Sequence, residues 1–428
     1  MSNGKRSRLF NRTIVIFLIG MILANIASRM TRPLISLYLQ SLGAGVQQIG
    51  LFFTLTSIVP LAFQIFGGFV SDSIGRLQAV AIGSMAGIVG FVLFTVAPSW
   101  GWLFLAQGIT ALATCFVAPS FKSFIAEQTP EGTRGRVYAA VESIYCVVGV
   151  IGPPLGGYMS QTYGYRAMFA LAGVLYGAAT VIRVFMARKA HRDDGERAEK
   201  MTFAGLKASL AGMVAMVCAG GIMTWLFVSD GVSDVAVEIA ARLKPLYLSN
   251  IIGLDNTHIT SLMSLSSLAT MVLMPVGGWV TDHAGERIAM VAGHTMFAAS
   301  YAVFLLGTGY AHFVLVWLLS AAGGALIGPA YNSLVSKVVP LNMRGIAFGL
   351  LSTSLGVISL PSPYLGGLLW KAYGPRAPFV APLASSLVLA VLLWVKLAPV
   401  AEGRAVGQAD AGAEAEAVAG GVAGSASE

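Results

Sequence analysis

The chain has 428 residues, 56% of them hydrophobic and only 11% charged, with a formal net charge of +8. That composition excludes an ordinary soluble domain, because apolar runs of bilayer-spanning length recur along the whole chain. The basic excess forms no single face, which excludes a nucleic-acid footprint.

The first apolar run, 14–38, is too long for a signal-peptide core and contains Asn25, Arg29 and Arg32, so it reads as a membrane helix. Eleven more runs follow, at 47–71, 78–97, 100–124, 137–159, 166–187, 214–248, 257–281, 287–306, 309–336, 343–369 and 376–397. In lipid each segment must satisfy its own backbone polar groups, which selects helices. The expected fold is therefore an all-α membrane protein with twelve transmembrane helices. Residues 1–187 and 209–400 form two six-helix bundles, joined by a charged linker at 188–208. The tail 401–428 has too few large apolar side chains to fold alone. Basic residues collect on one side, from Lys5 and Arg6 through Arg76 and Arg134 to the cluster Arg188–Lys207. The loops around 40–46, 97–100 and 249–256 contain no Lys or Arg. Both termini are accordingly expected in the cytoplasm, with the protein in the cell membrane of a bacterium. Cys115, Cys146 and Cys218 show no metal-ligand spacing and read as buried thiols.

A shift of 210 positions lays the second half over the first. Gly68, Asp72 and Gly75 fall on Gly278, Asp282 and Gly285, and Pro119, Arg134 and Gly135 on Pro329, Arg344 and Gly345. Pro153, Gly156 and Gly157 fall on Pro363, Gly366 and Gly367. Two similar hydrophobic halves are a common plan of secondary transporters.

The run GGFVSDSIGR, Gly67 to Arg76, resembles the cytoplasmic-loop motif of the major facilitator superfamily, and GGWVTDHAGER, Gly277 to Arg287, is its second copy. Gly152, Pro153, Gly156 and Gly157 are similar to the glycine-proline signature of that superfamily's antiporter branches, which is associated with export. The resemblance spans about residues 12 to 397. It implies a conformational role for Gly68, Asp72, Gly75, Arg76, Asp282 and Gly285, and for the glycine-proline run. One departure stands out, because the buried helix-four arginine of drug exporters is replaced by Phe104. That puts proton coupling of the usual kind in question.

Charges at bilayer depth are costly and mark pathways. Asp230, Asp234 and Glu238 are spaced i, i+4, i+8 and share one face of the seventh helix, with Arg242 and Lys244 beyond them. Asn25, Arg29 and Arg32 share a face of the first helix, the counterpart of the seventh. Arg29 and Arg32 are expected to meet Asp234 and Glu238 across the two halves, leaving Asp230 as the candidate for protonation. Lys122, Arg134 and Glu142 read as a second, gating set, and Trp225 as a cavity aromatic. No cofactor, metal site, catalytic arrangement or nucleotide-binding loop is present in the sequence. The expected function is proton-coupled export of small amphipathic or cationic molecules by alternating access, acting as a monomer among membrane lipids. The alternative is uptake or exchange of an anionic or lipid-like solute held by Arg29 and Arg32. A non-transporting receptor or scaffold is the remote one.

Overall fold

The computed structural model describes residues 12–129, 131–190, 222–338 and 356–397. The linker, the tail and both termini lie outside these residues. The helices are α1 (Arg12–Thr31), α2 (Ile35–Ser41), α3 (Val46–Ile74), α4 (Arg76–Val96), α5 (Trp102–Glu127) and α6 (Glu131–Ala190) in the first half. The second half has α7 (Ile222–Ala241), α8 (Lys244–Asn250), α9 (Asn256–Leu306), α10 (Tyr310–Val338), α11 (Ser362–Tyr373) and α12 (Ala377–Lys396).

Among the described residues eight helices are long and apolar enough to cross a membrane, fewer than the twelve expected. The difference has physical reasons. At 60 and 51 residues, α6 and α9 would be about 90 and 75 Å if straight, against a hydrocarbon core of about 30 Å. Each bends instead at one glycine of non-helical backbone, Gly164 or Gly285. Helix α7 carries Asp230, Asp234 and Glu238 within 20 residues, more charge than a simple span holds. Part of the run expected at 343–369 lies outside the described residues.

The backbone carries the sequence repeat. Among the described residues the positive-φ positions are Gly43, Gly75, Gly164, Gly253, Gly285 and Gly374, and they form three pairs at the same 210-residue shift. Only glycine adopts this region without strain, so each sharp reversal recurs at the equivalent place. The cores repeat as well. Tyr38, Phe94 and Phe169 pack in the first half, with the two Phe rings stacked at 4.6 Å. Tyr247, Phe304 and Phe379 pack in the second, with centroids 4.4–5.1 Å apart. Each Tyr lies beside an arginine, Arg166 or Arg376, also 210 apart.

Among the described residues the halves meet mainly along two helix pairs, α3 with α11 and α6 with α9. Gln47 Nε2 donates to the Tyr364 hydroxyl at 3.2 Å, and Lys371 Nζ to Gln47 Oε1 at 3.3 Å. On the other seam Asn256 Nδ2 donates to Ser160 Oγ at 3.0 Å, and Ser264 Oγ to the Val150 carbonyl. The two seams exchange under the shift, as an approximate two-fold relation between the halves requires. Both close the end that carries the 42–45 and 251–255 loops, which the charge pattern assigns to the outside.

Candidate functional site

Behind this closed end lies a cavity of about 480 Å³ between the halves. That is the size range of small-molecule sites. Its wall includes Arg29, Arg32 and Ser36 from the first span, Phe53 of α3, and Glu142, Tyr145 and Pro153 of α6. The second half supplies Arg242, Met263, Ser267 and Trp317.

Local helix chemistry positions the arginines. Pro33 and Pro245 sit at the first positions of new helical turns, where the first and seventh spans break. Proline lacks the donor that would continue the ladder, so a short 3₁₀ turn intervenes at Arg32–Leu34 and α7 gives way to α8. Arg32 and Arg242 stand at these two breaks. Arg29 is fixed from behind by the glycine-proline run. A Cβ at Gly152 would lie 2.7 Å from Arg29 Cβ, and one at Gly156 would overlap the Met30 carbonyl. Gly157 faces Asn256 and Thr260 of the opposite half. The run thus sets a helix contact and an inter-half contact together.

The charge arrangement differs from the pairing expected. Glu238 accepts from Arg242 Nε at 3.2 Å within its own helix, an i, i+4 pair favoured by proximity. Asp234 lies beside Ser359 and Asp230 beside the Tyr331 hydroxyl, so both turn toward α10 and the residues just before α11, not toward the first helix. Arg29 and Arg32 have no ion pair among the described residues. Arg29 and Arg242 both lie close enough to repel Arg32, with Glu238 as the opposing charge. Like charges at i, i+3 spacing on an exposed helix face repel by roughly 0.2–0.5 kcal/mol. Arg242 also crosses the interface, its Cζ 5.1 Å from the Phe53 ring centre. Lys244 Nζ lies 4.7 Å from the Tyr301 ring centre and 5.7 Å from that of Trp317, adding positive field behind one wall.

Other expected positions resolve as follows. Asn25 donates to the Met21 carbonyl of its own helix at 2.8 Å and is not on the cavity wall. Trp225 is not among the residues lining this cavity; it sits 4.8 Å under Lys396 Nζ at the far end of α12. Cys115 is buried as expected, but Cys146 is half-buried and lines the cavity, and Cys218 lies outside the described residues. Gly68, Asp72, Lys122 and Arg134 fall on helices but outside the residues whose side chains the structure describes. Asp282 is exposed beside the Gly285 bend. At Gly75, Arg76 Nε donates to Glu127 Oε1 at 3.0 Å. The equivalent pair, Glu286 with Lys337, has its charges exchanged. A complementary pair therefore follows each loop motif, whichever residue carries the sign.

The sequence reading passed over Arg183. It is 1% exposed, donates from Nη1 to Ser84 Oγ at 2.7 Å and from Nη2 to Met21 Sδ at 2.9 Å, and leaves Nε without a partner. It lies near the end of the apolar run 166–187. The available signal was a single arginine amid small and aliphatic residues.

A family model described as Major Facilitator Superfamily matches residues 17–240 and again 226–423. The chain is 26% identical over 403 residues to the multidrug resistance protein MdtG of Dickeya zeae, covering 91% of this chain and 95% of that one. It is 22% identical to the uncharacterized transporter YttB of Bacillus subtilis, covering 88% and 93%. Among solved structures it resembles a peptide transporter bound to sulfate, with TM-score 0.73, 16% identity, and 93% and 96% of the two chains covered. A bacterial homologue of the iron transporter ferroportin in its inward-facing state gives TM-score 0.73 and 16% identity, covering 90% and 98%.

Proposed function

The chain belongs to the Major Facilitator Superfamily, a non-enzymatic family of multi-pass membrane transporters, and from that premise we propose that it exports a small amphipathic solute by alternating access, driven by protons. The observation that carries the reading is the cavity between two repeat-related halves, closed at one end by α3–α11 and α6–α9. A solute held there is sealed from one side, and rocking the halves about it would expose the other. With the orientation expected from the basic residues, this conformation faces inward. The MdtG relatives are named multidrug resistance proteins, which supports export.

Asp230 and Asp234 are the candidates for coupling. They are half-buried on α7, one beside a tyrosine hydroxyl and one beside a serine, and the arginines of the cavity do not neutralise them. A carboxylate so placed can take and release a proton as the halves move. The cationic substrate expected from these carboxylates is less well supported, since they are absent from the cavity wall.

The test is flux in proteoliposomes under an imposed pH gradient. Uphill movement of a fluorescent amphipathic solute should require the gradient and reverse with its sign. Asp230→Asn should abolish uphill movement and retain solute exchange. Uphill transport that ignores the gradient would remove the proton from the mechanism.

A further inference from the structure

We infer that the cavity is built for an organic anion, with an acidic head held by Arg29, Arg32 and Arg242 and an apolar body against Phe53, Met263 and Trp317. This rests on the transport reading above and names the substrate class of that same site.

Three observations carry it. First, among the described residues the cavity wall holds three guanidinium groups against one carboxylate, Glu142. Second, that carboxylate makes no ion pair with them among the described residues. Gly152 packs on Arg29, and Glu142 lies ten residues earlier on the same helix, about 15 Å along its axis. Third, Arg29 and Arg32 have no ion pair among the described residues, while Arg242 has Glu238 and the Phe53 ring. Unpaired, mutually repelling guanidiniums in a cavity are an anion site awaiting its ligand. A carboxylate, sulfonate or phosphonate would accept forked hydrogen bonds and relieve the repulsion together. Ser36 and Ser266 add hydroxyl groups along the wall. Arg242 belongs to one half and touches Phe53 of the other, so an anion competing with Glu238 for it would be felt at the interface itself. A cation of the same shape would meet three guanidinium groups, with Glu238 already committed to Arg242.

The experiment uses the full chain in lipid nanodiscs and three probes sharing one ring system: naphthalenesulfonate, naphthalenesulfonamide and naphthyltrimethylammonium. Calorimetric titration should give the sulfonate at least about tenfold tighter binding than either other probe. The variant Arg29→Gln/Arg32→Gln should lose about that factor for the sulfonate and leave the sulfonamide nearly unchanged. Arg29→Lys/Arg32→Lys should recover part of it. Equal binding of the three probes to the unaltered chain, or preference for the ammonium, overturns the inference whether or not the variants fold. Flux separates the two readings. Sulfonate binding without transport would sink the transport reading and keep the anion site. Transport of the ammonium without sulfonate binding would do the reverse.

Discussion

Arg183 poses the residue-scale question, because a fully buried cation with neutral partners is costly. Its contacts are a serine hydroxyl, a thioether and the face of Tyr176 at 5.6 Å, and no carboxylate pairs with it among the described residues. Desolvating such a group costs several kcal/mol, and apolar replacement of buried charge is often neutral or stabilising. The repeat supplies the natural replacement. Position 183 corresponds to Leu393, which is 3% exposed in the core of the other half. Arg183→Leu should therefore fold, with a thermal midpoint unchanged or raised. A fall of more than about 5 °C would show that the contacts to Ser84, Met21 and Tyr176 outweigh desolvation. If the midpoint holds and transport is lost, the guanidinium serves the conformational change.

At the scale of elements, two close crossings govern the architecture, and they are the same crossing repeated. A Cβ at Gly156 would overlap the Met30 carbonyl, and one at Gly366 would overlap the Ile239 carbonyl. Because the obstacle is backbone, no side-chain rotation relieves it. Gly156→Leu should cost at least about 1–3 kcal/mol and abolish transport. Gly177→Ala, on the same helix with nothing within 4 Å, should be neutral or slightly stabilising. Comparing their thermal midpoints checks the assignment, and equal effects would mean that crowding at Gly156 is relieved by helix movement. The sequence disclosed these elements unevenly. The 210-residue shift marked Gly75, Gly156 and their partners, since backbone reversals and close approaches leave glycine and little choice. Helical phase correctly grouped Arg29 with Arg32 and Asp230 with Asp234. It erred on partners, because phase says which residues share a face and not which neighbour that face meets. Glu238 found Arg242 one turn away, and the aspartates faced side chains of later helices that no spacing predicts. The proline breaks beside Arg32 and Arg242 were visible as residues, but their effect depends on where two distant spans come together.

The whole molecule is one design used twice, and function at this scale depends on movement between the copies. The seams α3–α11 and α6–α9 exchange under the repeat, so closing one end draws on both halves alike. Any state open at that end must break contacts on both seams. Gly149 and Ser267 allow a direct test. A Cβ built at Gly149 lies 3.4 Å from Ser267 Cβ, close to the 3.5–4.5 Å that a disulfide needs. In a background with Cys115, Cys146 and Cys218 replaced, Gly149→Cys/Ser267→Cys should cross-link on mild oxidation. The bond would tie α6 to α9 beside the cavity and hold this end shut. Flux in proteoliposomes should then fall to background and return with reductant, while each single cysteine variant keeps its activity under oxidation. The cross-linked protein should still bind solute from the open end, because the bond spares the wall arginines. Full transport by the oxidised double variant, with cross-linking verified by mass spectrometry, would mean that the halves do not separate at this seam.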